Sequence, residues 1–312
     1  MAFIRKRVYG GALHSLLVVL LLLSLSVAAG AASPSAPLTM TELKNATYTG
    51  IDTTPITLVD GRYEGAPYVP GGNSRQRLEL LDSQPAAGDL NADGTDETVV
   101  FLTENNGGTD SCLYMAVMGR EKGTIVTLGA VRLGERLSVR AVSVEKRQIT
   151  LELLQYGAKD AACCPSELAT RSWSMEGVNL VELVTRKRPG TLSLATLSGG
   201  DWLFRGFDPL HPAQVASGAT LLFQKEQISG ASGCNRYIGS AAATKVPGTV
   251  TLKAIKVTNT DCGTKVMSDE QRYLDALRRV SRFGYFVGDL LLSWQKEDGS
   301  LGTMRFSPRK NP

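Results

Sequence analysis

Histidine is almost missing from this chain of 312 residues: there are two, His14 and His211. His211 sits in PLHPAQ, between Pro209 and Pro212, and reads as a surface-loop residue. Hydrolytic triads and zinc sites lean on imidazole as base or ligand, so one Pro-flanked histidine argues against both. SGASGC lacks the second glycine of a Gly-x-Ser-x-Gly elbow, which leaves Ser232 as a turn residue. No two cysteines have the spacing of a C-x-x-C redox site. Asp160, Glu167 and Glu176 show no acid/base spacing and read as solvated. There is no internal repeat.

A large excess of charge is missing too. The formal charge is +4, and Arg5, Lys6 and Arg7 supply three of those positive charges. They open MAFIRKRVYGGALHSLLVVLLLLSLSVAAGAAS, where a basic stretch precedes an apolar run, Leu16 to Leu23, and then small residues ending in Ala29-Gly30-Ala31. That order is the pattern of a cleaved export signal over residues 1–31. The apolar run is shorter than the roughly 20 residues that span a bilayer, and no cysteine lies nearby to carry a lipid, so no membrane anchor is expected after cleavage. Without the signal the charge falls to +1, a poor basis for binding nucleic acid or an anionic membrane. The expected compartment is the periplasm or the exterior.

About 280 residues remain, enough for two domains with separate cores. After a spacer, 32–40, the segment 41–185 carries strand signals. QITLELL places Ile149, Leu151 and Leu153 on one face; RLSVRAVSV, ETVVFLT and GTIVTLG are similar, with turn sequences between. Residues 186–194, with Arg186 to Arg188 followed by Pro189-Gly190, read as a linker. The segment 195–308 opens with strands and contains one helix, SDEQRYLDALRRVSRF. Ser268 and Gln271 have capping-box spacing, Asp269 and Glu270 suit the helix N-terminus, and Tyr273, Leu277 and Val280 form an apolar stripe with Leu274 and Phe283 beside it. GYFVGDLLLSWQ and GTMRFS then read as a hairpin.

GDLNADGTDETVVFL holds the start of a calcium loop. Asp89, Asn91 and Asp93 occupy alternate ligand positions, Gly94 the sharp turn, and Thr95 and Glu97 the next two ligand positions. Val100 stands where an EF-hand needs its bidentate glutamate, and a strand-like run follows in place of a helix. The expectation is a weak, structural calcium turn between strands. The competing reading is an Asp-Gly turn whose side chains bond their own backbone.

ISGASGCNRYIGS, VTNTDC, EQRYLDAL and GDLLLSW, in that order and spacing, resemble the META domain, known also from the HslJ proteins of bacterial envelopes. The matching landmarks are Gly233-Cys234-Asn235, Thr258 with Cys262, Glu270 to Leu277 and Gly288 to Leu292. The first segment resembles the domain that precedes META domains in some exported proteins, through LKNATYTG, VDGRYEG, GDLNADGTDE and ACCPSE. The strand and helix patterns of the two segments give an α+β protein: a mainly antiparallel β domain followed by antiparallel strands with one helix. The resemblance adds the turn, helix and final hairpin of the META pattern. It implies a role in envelope stress or antibiotic tolerance, and no catalytic residue.

Five cysteines remain after the signal, and export makes disulfides the default. Cys234 and Cys262 lie 28 residues apart in one small domain, and bridging them would add roughly 3 kcal/mol in the chain-entropy model. Two buried thiols are the alternative. Cys163 and Cys164 are adjacent: either they form a strained, reducible pair, or one of them bonds Cys112. The functional expectation is a non-enzymatic envelope protein that binds a protein or small ligand. A carboxylate-dependent periplasmic enzyme and a redox-responsive protein using the vicinal cysteines are the alternatives.

Overall fold

The computed structural model describes residues 37–83, 85–108, 111–160, 165–207 and 218–309. The expected signal, His211, Cys163 and Cys164 lie outside the described residues. Antiparallel strands dominate, with two α-helices among the described residues.

The chain starts its fold earlier than expected, within the predicted spacer. Thr39 caps the short helix α1 (Met40–Leu43) in a reciprocal capping box with Glu42, and Leu38 before it is buried. Thr-x-x-Glu after an apolar residue is a helix-start signature, so the core's first residue is Leu38. Two short strands, β1 (Thr47–Tyr48) and β2 (Ile56–Thr57), pair with each other. Then come β3 (Arg62–Pro67), β4 (Arg75–Leu80), β5 (Ala86–Gly88), β6 (Glu97–Asn105), β7 (Cys112–Glu121) and β8 (Thr124–Glu135). They form one sheet in the order β3-β4-β6-β7-β8, with β5 on β6. A second sheet follows: β9 (Ser138–Glu145), β10 (Gln148–Gln155), β11 (Glu167–Glu176) and β12 (Asn179–Thr191), in sequential antiparallel order.

The central strands β6 and β7 are buried on both faces, which explains their unbroken apolar runs. Val100, Leu102, Ala116 and Met118 face the α1–β2 segment, packing on Leu43, Tyr48 and Leu58. Val99, Phe101, Met115 and Val117 face the second sheet, packing on Ile149, Leu151, Leu153 and Trp173. The alternation expected for Ile149, Leu151 and Leu153 is therefore present. Leu154, on the opposite face of β10, joins the core of the C-terminal region.

The expected linker is not a linker. β12 continues to Thr191, and Leu192, Leu194 and Leu197 are buried beyond it. Pro189-Gly190 is tolerated because β12 is an edge strand whose pairing with β11 is interrupted by register shifts.

The C-terminal region comprises β13 (Asp201–Gly206), β14 (Thr220–Gln224), β15 (Gln227–Ala231), β16 (Arg236–Ala243), β17 (Val250–Val257), α2 (Thr264–Arg278), β18 (Val280–Phe286), β19 (Asp289–Gln295) and β20 (Leu301–Pro308). Its eight strands form one sheet, β17-β16-β15-β14-β13-β20-β19-β18. The two edges meet at the bridge between Thr249 and Arg282, curling the sheet toward a barrel. Tyr273, Leu274, Ala276 and Leu277 of α2 enter its core.

Two helix expectations are corrected. α2 begins at Thr264, after Gly263 in the left-handed region (φ 85°), so Ser268 lies inside the helix and caps nothing. It ends at Arg278, and Val280 and Phe283 belong to β18, where a register shift between Val280 and Arg282 lets both enter the core.

Candidate functional site

The expected family residues converge on one buried polar node. Gly233, at φ 117°, lets the chain turn sharply between β15 and β16. Asn235, buried in that turn, joins three segments through its side chain. Its Oδ1 accepts from the Thr258 hydroxyl (2.7 Å) and the Thr260 N–H (2.7 Å), and its Nδ2 donates to the Thr260 carbonyl (2.9 Å). From α2, the buried Glu270 carboxylate accepts from the Ser232 hydroxyl (2.7 Å), the Asn235 N–H (2.8 Å) and Asn235 Nδ2 (2.8 Å). Burial alone would raise the Glu270 carboxyl, but its donors from Asn235, Ser232 and Cys234 outweigh that and hold it below its ordinary value. Beside the node, Cys234 and Cys262 form a disulfide with a Cα–Cα distance of 6.0 Å. The node ties turn, strand and helix together, with each carboxylate oxygen of Glu270 receiving a donor.

The acidic turn is organised differently. It closes the β5–β6 hairpin, and its side chains bond their own backbone. Asp89 accepts from the N–H groups of Ala92 and Gly94, Asn91 from that of Asp93, and Asp93 from the N–H and hydroxyl of Thr95. Glu97, buried, accepts from the N–H groups of Leu90 (2.7 Å) and Asn91 (3.2 Å). Burial raises the Glu97 carboxyl above its ordinary value; the two N–H donors oppose the rise and the nearby charges of Asp93 and Asp89 add to it. Among the described residues no three Asp, Glu, His or Cys side chains are brought together to hold a metal ion. The turn's own hydrogen bonds have the self-bonded Asx geometry.

Cys112 is a free, buried thiol, which corrects the reading that bridged it to Cys163 or Cys164. Cys112 points into the core shared with α1 and Tyr48. Burial also pushes its thiol up, away from the reactive thiolate.

The most distinctive cavity lies where the two regions meet. The β18–β19 hairpin turns through Val287 (φ 45°) and Gly288 (φ 87°), both left-handed. A β-branched residue in that conformation is strained. Val287 holds it while buried in the core between the two N-terminal sheets, and the Gly288 N–H donates to the Val139 carbonyl (3.1 Å). Arg305 pairs with Asp289 in a buried ion pair, donates to the Asp82 carbonyl, and lies over the Phe286 ring. Burial raises the Asp289 carboxyl, and Arg305 pulls against that rise.

Beside the inserted hairpin is a cleft of about 350 Å³. Its walls are Val142, Trp202, Tyr285, Val287 and Pro308; Arg140, Glu152 and Asp289 supply its charges. Arg140 pairs with Glu152, donates to the Thr196 carbonyl (3.3 Å) and lies 5.5 Å from the Tyr285 ring centroid. Trp202 keeps its place because Gly200 has no Cβ, which would lie 2.3 Å from the indole Nε1. Sequence reading missed Arg140, Glu152, Tyr285 and the bonding role of Glu270. The only trace of the first two was a charged residue interrupting each of the apolar strands β9 and β10.

A curled antiparallel sheet with one helix, a disulfide-flanked Gly-Cys-Asn turn and a buried glutamate defines the class of the C-terminal region. Residues 195–307, the last third of the chain, match the META domain family. An NMR structure of a protein from Burkholderia xenovorans is 22% identical over 38% of this chain and 87% of its own, with a TM-score of 0.30. A second NMR structure is 15% identical over 38% of this chain and 95% of its own, also at 0.30. No curated protein matches the chain.

Proposed function

We propose that this is an exported, non-enzymatic envelope protein that binds a protein or small ligand in envelope stress or antibiotic tolerance. The observation that carries this reading is the saturation of the family motif: Ser232, Asn235, Thr258 and Glu270 spend their polar atoms on one another. Groups so engaged hold a fold together and leave no poised base or nucleophile. Among the described residues, no helix is long and apolar enough to cross a membrane. Cross-linking in intact envelopes tests the proposal. A reproducible partner, captured by the wild type and lost with the junction variant Val287→Asp, supports it. Recovery of the chain only in the cytoplasm, still bearing residues 1–31, would overturn it.

One observation favours a second reading. Glu152 and Asp289 both line the junction cleft, as a carboxylate-dependent enzyme would require. Each is paired with an arginine, Glu152 with Arg140 and Asp289 with Arg305, which ranks this reading second. Turnover of any of a panel of nitrophenyl glycosides and esters, abolished by Glu152→Gln, would reverse the ranking.

A further inference from the structure

We infer that the junction cleft is a binding site for a small, flat, aromatic anion. This deepens the non-enzymatic reading and rests on it. The volume, about 350 Å³, falls within the range of small-molecule pockets, and mostly apolar walls with a few convergent polar groups are their usual construction. Trp202 and Tyr285, with Val142, Val287 and Pro308, give a ligand ring apolar surface to lie against. Aromatic walls bury much area with little conformational freedom to lose.

The charge of the ligand follows from how the Arg140–Glu152 pair is held. Arg140 is anchored at three places: Glu152, the Thr196 carbonyl and the face of Tyr285. Its side chain is 32% exposed, against 46% for Glu152. A ligand cation would have to take Glu152 away and strand the less exposed, better anchored arginine without its counter-ion. A ligand anion releases Glu152, which is nearly half in water already and loses less by leaving. Once Glu152 leaves, the guanidinium offers a ligand carboxylate the charged N–H donor that Glu152 held. The other carboxylate in the cleft, Asp289, is neutralised by Arg305 and offers no comparable site for a cation.

The lining comes from both regions. Arg140, Ala141, Val142 and Glu152 belong to the second N-terminal sheet, Trp202 and Tyr285 to the C-terminal one, and Val287 to the β18–β19 turn. Occupancy therefore clamps the inserted hairpin, and an anion that binds should raise the melting temperature of the whole chain.

The test is titration of the full mature chain with 2-naphthoate, with 2-naphthylmethylamine as the cation of similar shape. Calorimetry should give one naphthoate site per chain and weaker binding of the amine. Amide resonances of Val142 and Gly288 should move with occupancy. Arg140→Gln should weaken naphthoate by about tenfold or more, the loss of a charged hydrogen bond, while leaving amide spectra outside the cleft unchanged. Val142→Trp should fill the cleft and abolish binding. Absence of saturable binding, shifts mapping elsewhere on wild type, or unchanged affinity in a folded Arg140→Gln would each overturn the assignment. Those outcomes leave the non-enzymatic reading intact, because turnover and partner capture are measured separately.

Discussion

The acidic turn and the family-motif node each bury a glutamate that accepts backbone N–H groups, yet the two are built on opposite plans. Glu97 takes its donors from its own hairpin, six and seven residues away, and shares the turn with Asp89 and Asp93. Glu270 takes its donors from a turn 35 and 38 residues away, with no carboxylate among the groups acting on it. Their carboxyl groups shift in opposite directions from an ordinary value of 4.5, Glu97 upward and Glu270 downward. Burial opposes the charge in both places. At Glu97 burial outweighs two N–H donors, with the charges of Asp93 and Asp89 adding the least; at Glu270 the hydrogen bonds from Asn235, Ser232 and Cys234 outweigh burial. A locally satisfied carboxylate shapes a loop; a remotely satisfied one holds segments together.

The sharpest way to break this comparison is to remove the remote acceptor. Glu270→Ala strands the buried donors of Ser232 and Asn235, and a loss of about 3–5 kcal/mol is expected in denaturant titration. A loss below about 1 kcal/mol would show that the node is not what joins α2 to the β15–β16 turn. Next in size is the covalent tie beside it. Cys262→Ser with Cys234→Ser should cost about 3 kcal/mol through the freed 28-residue loop, and reductant should lower the wild-type melting temperature comparably.

Smaller effects belong to the acidic turn. Asp93→Ala removes the acceptor for Thr95 and should cost about 1 kcal/mol in calcium-free buffer. A variant that loses stability only after calcium is added to chelated protein would give the turn an ion-binding role. The smallest effect is on the pH profile. Glu270, its pKa depressed, contributes stability that is full above the unfolded pKa and lost as pH falls through the folded one. Glu97, its pKa raised, favours the fold at low pH and loses that contribution as pH rises through its folded pKa. Glu270→Gln should therefore be most damaging near neutrality, with its deficit shrinking in acid. Glu97→Gln should gain on wild type as pH rises from 4 to 7. Parallel profiles for the two variants would erase the distinction.

Local features were the legible ones. Ile149, Leu151 and Leu153 announced a buried face by alternation, and Asp89 to Thr95 announced a turn, because both depend on neighbours within a few residues. Thr39 and Glu42 were legible in principle: their spacing is that of the capping box they form. Pro189-Gly190 misled, since the pair reads as a linker wherever the strand's edge position is unknown. Ser268 misled for a related reason. Its capping spacing is real, but the chain enters α2 earlier, through Gly263.

By itself the sequence determined the α+β class and the family landmarks of the last third, and named Cys262 as the candidate partner of Cys234, because order, spacing and residue type carry that information along the chain. Tertiary structure alone decided that Val287 is driven into a neighbouring core, that Cys112 faces away from the other N-terminal sheet, and that Arg140, Trp202 and Tyr285 share a cleft. The physical reason is distance along the chain: burial and charge pairing act between side chains that meet only after the sheets have packed, and no local pattern records which ones those will be.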